Sequence, residues 1–143
     1  MILRAQKVQK LQQIPVISIV DDDESVREAT KSLVRSLGYR TMTFGSAEEF
    51  LESTQAKATA CLIADVQMPG LNGVELQQRL IADGQSVPTI FISGLADERL
   101  EQEVLRGGAL GYLRKPFKED RLINYIDVAL RGLSGRNSGS SSN

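Results

Sequence analysis

The 143-residue chain contains no histidine and only one cysteine, and these two counts remove most enzyme chemistries at once. Without histidine there is no Ser-His-Asp triad, no Cys-His pair and no histidine-rich zinc site. The lone Cys61 sits inside an apolar run, which leaves no disulfide framework and fits a reducing cytoplasm. An excess of either charge is also missing. Seventeen basic residues against eighteen acidic ones give a formal net charge of −1, which argues against general nucleic-acid binding. No apolar stretch is long enough to span a bilayer, and the first residues carry no signal-peptide apolar core. The expectation is a cytoplasmic protein with no membrane partner. No internal repeat is visible.

What is present reads as one globular domain. Hydrophobic residues make up 41% and charged residues 24%, and the length suffices for a single sizeable core. Short apolar runs alternate with amphipathic segments, the pattern of βαβ units on a parallel sheet. Strands are expected at about 16–21, 40–44, 60–65, 87–92 and 110–114. Helices are expected at about 24–37, after Ser46, after Asn72, at about 96–106 and at about 119–131. Ser46 with Glu49 and Asn72 with Glu75 have capping-box spacing. Gly38 and Gly107-Gly108 mark helix stops. Residues 1–14, with Arg4, Lys7 and Lys10, read as a polar arm, residues 15–131 as the folded domain, and residues 132–143, rich in Gly, Ser and Asn, as a disordered tail or truncated linker. Five such units with right-handed crossovers give a doubly wound five-stranded parallel sheet.

The chemistry concentrates where strands end. Val16 to Val20 runs into Asp21-Asp22-Asp23, and Cys61 to Ala64 runs into Asp65. Leu110 to Leu113 runs into Arg114-Lys115. Adjacent carboxylates repel and raise one another's pKa unless a cation neutralises them, and oxygen-only ligands suit a hard ion such as Mg2+. In doubly wound folds the ligand lies outside the carboxyl ends of the strands. Asp21, Asp22, Asp65, Ser93 and Lys115 all fall there, so they are expected to converge.

The motifs Val20-Asp21-Asp22-Asp23, Asp65-Val66-Gln67-Met68-Pro69-Gly70, Ile92-Ser93-Gly94 and Lys115-Pro116-Phe117 resemble those of the receiver domain of two-component response regulators. The resemblance covers about residues 15–131. Ser25-Val26-Arg27-Glu28, Gly38-Tyr39, Phe44-Gly45-Ser46-Ala47 and Phe50-Leu51 are similar to receivers of the nitrogen-fixation-regulator type. The resemblance implies the (βα)5 flavodoxin-like fold with strand order 2-1-3-4-5. It implies a signalling phosphoacceptor rather than an enzyme, beyond self-catalysed phosphotransfer and slow autodephosphorylation. Asp65 would be the nucleophile, fed by a sensor histidine kinase or phosphotransfer protein; with no histidine of its own, the chain would depend on a second protein for any phosphohistidine. Asp22, Asp65 and the main-chain carbonyl of Gln67 would hold Mg2+, with Asp21 acting through water. Lys115 and the Ser93 hydroxyl would meet phosphoryl oxygens, and Gly94 would leave the approach open. Pro116 would follow a cis peptide that aims the lysine inward. Tyr112 would be the switch aromatic, and Gln67 and Leu95 would set the lifetime of the phosphoryl group. Output would leave through the face of helix four, strand five and helix five, toward a phosphorylation-dependent homodimer or an effector. Receivers of this type usually precede a DNA-binding domain, which is missing from this chain.

Each feature also has a plain structural reading. Asp23 suits a helix N-cap better than a ligand. Ser93 alone is an ordinary loop serine, Tyr112 can be edge packing, and the basic arm can be simply solvated. Two further functions stay open. Asp21-x-Asp23-x-Ser25 loosely mimics the nucleophile motif of haloacid-dehalogenase-like phosphatases, and a receiver can serve purely as a binding module.

Overall fold

The computed structural model describes residues 14–54, 56–94 and 97–137, with side chains to Arg131. The arm at residues 1–13, Leu95 and residues 138–143 lie outside the described residues. The chain runs β1 (Val16–Val20), α1 (Glu24–Ser36), β2 (Arg40–Phe44), α2 (Ala47–Glu52), a 3-10 turn (Ala56–Ala58), β3 (Thr59–Asp65), α3 (Gly73–Ala82), β4 (Thr89–Ser93), α4 (Glu98–Arg106), β5 (Gly111–Arg114) and α5 (Glu119–Asn137). All five strands are parallel, in the order β2-β1-β3-β4-β5.

Alternation along the strands builds a core on each side of the sheet. Ile17, Ile19, Cys61, Ile63, Ile90, Ile92 and Leu113 face one side and meet Val34 of α1 with Leu122, Ile126 and Ala129 of α5. Val20, Leu62, Ala64, Phe91 and Tyr112 face the other and meet Phe50 of α2, Leu76 and Leu80 of α3 and Val104 of α4. Fully burying each large side chain contributes about 1.5–3 kcal/mol relative to exposure. The sheet is therefore fixed from both faces, and the strand ends are held in register.

The helix starts follow from their caps. Asp23 accepts from the Ser25 and Val26 N–H groups at the start of α1, as expected of an N-cap. Asn72 and Glu75 form a reciprocal capping box on α3, each bond 2.9 Å. The Ser46 hydroxyl accepts the Glu49 N–H at 3.1 Å to open α2.

Several boundaries differ from the sequence expectation. β4 begins at Thr89 rather than Val87. Pro88 has no N–H to donate, although its carbonyl accepts from Leu62 at 2.9 Å. α4 begins at Glu98 because Asp97 caps it. Its end at Gly107-Gly108 is as expected; Gly108 has φ +105°, a conformation that favours glycine. α5 continues to Asn137, so the first half of the expected disordered tail is helical. Among the described residues no helix is long and apolar enough to cross a membrane.

Candidate functional site

The order β2-β1-β3 reverses the direction of winding at β1 and β3, and this opens a crevice at their carboxyl ends. Asp21 follows β1 and Asp65 ends β3. Ser93 ends β4, and Lys115 follows β5. Carboxylate oxygens of Asp21, Asp22 and Asp65 can all lie within 4.8 Å of one another, with Asp21 and Asp65 buried and Asp22 exposed. The five residues expected to converge are therefore brought to one edge of the sheet.

Asp21 and Asp65 are held in matching ways. One oxygen of each accepts a main-chain N–H two residues ahead, Asp23 N–H on Asp21 and Gln67 N–H on Asp65, each at 2.9 Å. The other oxygen of each faces the Lys115 ammonium, at 3.6 Å for Asp21 and 3.3 Å for Asp65. Burial raises the Asp21 pKa, and the neighbouring Asp65 and Asp22 carboxylates push it further, against the opposing effects of the Asp23 N–H and Lys115. Burial alone would lower the Lys115 pKa, but the Asp65 and Asp21 carboxylates outweigh it and hold it above the usual lysine value. Three carboxylates around one ammonium leave negative charge uncompensated. That donor set fits Mg2+, which takes hard oxygen ligands and binds through one or two carboxylates. Asp21, Asp22 and Asp65 are the residues that could hold it.

Lys115 enters the site from the β5–α5 loop. Its N–H donates to the Ser93 carbonyl at 2.8 Å, and the Lys115–Pro116 bond is cis, as the resemblance implied. Ser93 is fully buried at the end of β4. A β-carbon at Gly94 would meet none of the described residues within 4 Å. Tyr112 is buried on β5, and its hydroxyl has no hydrogen-bond partner among the described residues. Gln67 is exposed beside the site, and Leu95 lies outside the described residues.

Asp23 is excluded from the cluster by its cap. Its Oδ1 accepts the Ser25 hydroxyl at 2.8 Å, the Val26 N–H at 3.3 Å and the Ser25 N–H at 2.9 Å, and these bonds hold its pKa below the usual value. The second acid of the phosphatase-like motif is thus committed to α1, which counts against that reading.

Two residues were not singled out from sequence. Arg27 Nη1 donates to the Asp21 carbonyl at 2.7 Å and braces the β1–α1 turn. Glu48 Oε2 accepts the Leu71 N–H at 3.0 Å and ties α2 to the loop after β3. Arg27 falls one turn into α1 and Glu48 in the first turn of α2, positions where charge is usually solvated, so nothing in their spacing marks them.

The chain matches the family model for the response regulator receiver domain over residues 17–127. It is 44% identical over 116 residues to the response regulator protein TmoT of Ectopseudomonas mendocina, covering 81% of this chain and 53% of that protein. It is 36% identical over 115 residues to the transcriptional regulatory protein FixJ of Bradyrhizobium diazoefficiens, covering 80% and 56% respectively. The chain thus spans about half the length of the curated relatives it matches. Among solved structures it is similar to the response regulator StyR, with TM-score 0.80 and 37% identity over 87% of this chain and 63% of that one. It is also similar to the N-terminal part of FixJ, with TM-score 0.74 and 32% identity over 82% and 94%.

Proposed function

Because this chain belongs to the response regulator receiver domain family, we propose that it accepts a phosphoryl group on Asp65 from a sensor histidine kinase or a phosphotransfer protein. The observation that carries the reading is the pairing of the Lys115 ammonium with both Asp65 and Asp21, 3.3 Å and 3.6 Å away, inside a cluster of three carboxylates. A structural ion pair needs one acid; three acids with one lysine at a strand-end crevice make a site for a cation and an anion together.

In the proposed reaction the Asp65 carboxylate attacks phosphorus in line, the O–P bond forms, and the P–N bond to the donor's imidazole breaks. The Gln67 N–H holds one Asp65 oxygen and so orients the carboxylate. Lys115 supplies positive charge to a phosphoryl oxygen, and the Ser93 hydroxyl donates to another. Mg2+ bound by Asp22, Asp65 and the Gln67 carbonyl, with Asp21 through water, would add positive charge where the phosphoryl oxygens gather. Output would pass through α4, β5 and α5 to a second copy of the chain or to an effector. The transcriptional relatives support an effector that binds DNA.

Incubation with acetyl phosphate and Mg2+, followed by intact mass measurement, tests the reading. The wild type should gain about 80 Da, one phosphoryl group. Asp65→Asn should gain nothing, and neither should wild type in EDTA. A full adduct in either control would refute the assignment.

A further inference from the structure

We propose that Glu48 is a positioning residue for the metal-binding loop after β3. Its carboxylate, carried on α2, clasps the main chain at Gly70 and Leu71 and fixes the stretch that presents the Gln67 carbonyl. The inference rests on the reading of Asp22, Asp65 and Gln67 as Mg2+ ligands.

The loop between β3 and α3 is well held at its ends. Val66 donates to the Ile92 carbonyl at 2.9 Å and accepts from the Gly73 N–H at 2.7 Å, while Asn72 N–H goes to Glu75 at 2.9 Å. Its middle is weaker. Gln67 is exposed, Pro69 has no N–H to give, and Gly70 is exposed with φ +77°. Met68 is buried in the core and anchors one point. The Leu71 N–H crosses to an element 23 residues earlier, where Glu48 Oε2 accepts it at 3.0 Å. The fit around that carboxylate is close. A β-carbon on Gly70 would collide with Glu48 Oε2 and stand 3.2 Å from its Cδ. Glycine at this position therefore serves the turn and also admits the carboxylate against the backbone.

An acid in the first turn of a helix is commonly no more than a favourable partner for the helix dipole. Glu48 does something additional, because it bonds the main chain of a different element through a matched gap. A carboxylate accepting a main-chain N–H makes a stronger bond than a neutral acceptor. Groups that orient metal ligands from behind typically alter metal affinity by about tenfold or more when removed.

The test is calorimetric titration of the full chain with MgCl2 alone, for wild type, Glu48→Ala and Glu48→Gln. Amide exchange at Leu71 and melting in EDTA accompany it. Glu48→Ala should bind Mg2+ about tenfold more weakly and exchange the Leu71 amide faster. Glu48→Gln keeps an acceptor oxygen, so it should restore protection of Leu71 and bring affinity to within about threefold of wild type. Glu48→Ala binding as tightly as wild type would overturn this inference alone. So would a Gln variant as weak as Ala, since charge and not the clasp would then be at stake. Wild type that takes up no Mg2+ would overturn the functional reading and this inference with it, even with Leu71 still protected.

Discussion

At the scale of the residue, Asp21 carries a charge that its environment works against. Asp21 is 3% exposed, and burial together with Asp65 and Asp22 outweighs the Asp23 N–H and Lys115 in setting its proton affinity. The folded chain therefore holds the Asp21 proton to a higher pH than the unfolded chain, whose aspartate titrates near 3.8. Folding takes up a proton in the window above 3.8, so stability falls as pH rises through it and stays lower above the raised value. Asp21→Asn removes that penalty. In EDTA at pH 7 the variant should melt higher than wild type, by about 3 °C for each kcal/mol of burial and repulsion relieved. The gain should vanish below the window, where both carry a neutral side chain. A variant that melts lower at pH 7 would mean that the contact with Lys115 outweighs burial and repulsion. Lys115 follows the opposite sense: its raised value adds stability that is present below the ordinary lysine value of 10.5 and is lost as pH rises through the folded one.

At the scale of the element, α4, β5 and α5 form the surface through which the site would be read. Tyr112 lies on β5, two residues before Arg114, and its buried hydroxyl has no hydrogen-bond partner among the described residues. Arg114 bridges to Glu101 of α4 at 2.9 Å, and the pair lines a groove of about 550 Å3 together with Tyr112, Phe117, Lys118 and Arg121. Beryllofluoride at Asp65, a mimic of the phosphoryl group, should change amide exchange across residues 98–121 and shift sedimentation toward a dimer. Binding of the mimic with both readouts unchanged would place the output elsewhere. Most elements were legible because their periodicity is strong: Leu33, Val34 and Leu37 share one stripe of α1, Leu122 and Ile126 stand one turn apart on α5, and Ser18 separates Ile17 from Ile19 along β1. The ends were less so. Gly132, Ser134 and Gly135 read as breakers, yet α5 passes through them to Asn137. Each glycine costs a helix only about 1 kcal/mol, which a docked helix can absorb.

At the scale of the molecule, the site exists only because the fold gathers residues that the chain keeps apart. Asp21 and Lys115 are at opposite ends of the domain, and parallel winding delivers both to one edge of the sheet. That convergence was readable from the rule that strand ends carry the ligands, whereas the braces from Arg27 and Glu48 depend on distances between elements that no spacing encodes. The central claim is that Asp65, rather than Asp21 or Asp22, carries the phosphoryl group. It is tested most directly by phosphorylating the chain with acetyl phosphate and Mg2+, reducing with borohydride and sequencing the peptides by mass spectrometry. Hydride cleaves an aspartyl phosphate at the acyl carbon and leaves homoserine in place of the phosphorylated aspartate. The account predicts homoserine at position 65 and nowhere else. Homoserine at 21 or 22, or its absence from position 65 in protein that has gained the phosphoryl mass, would contradict it.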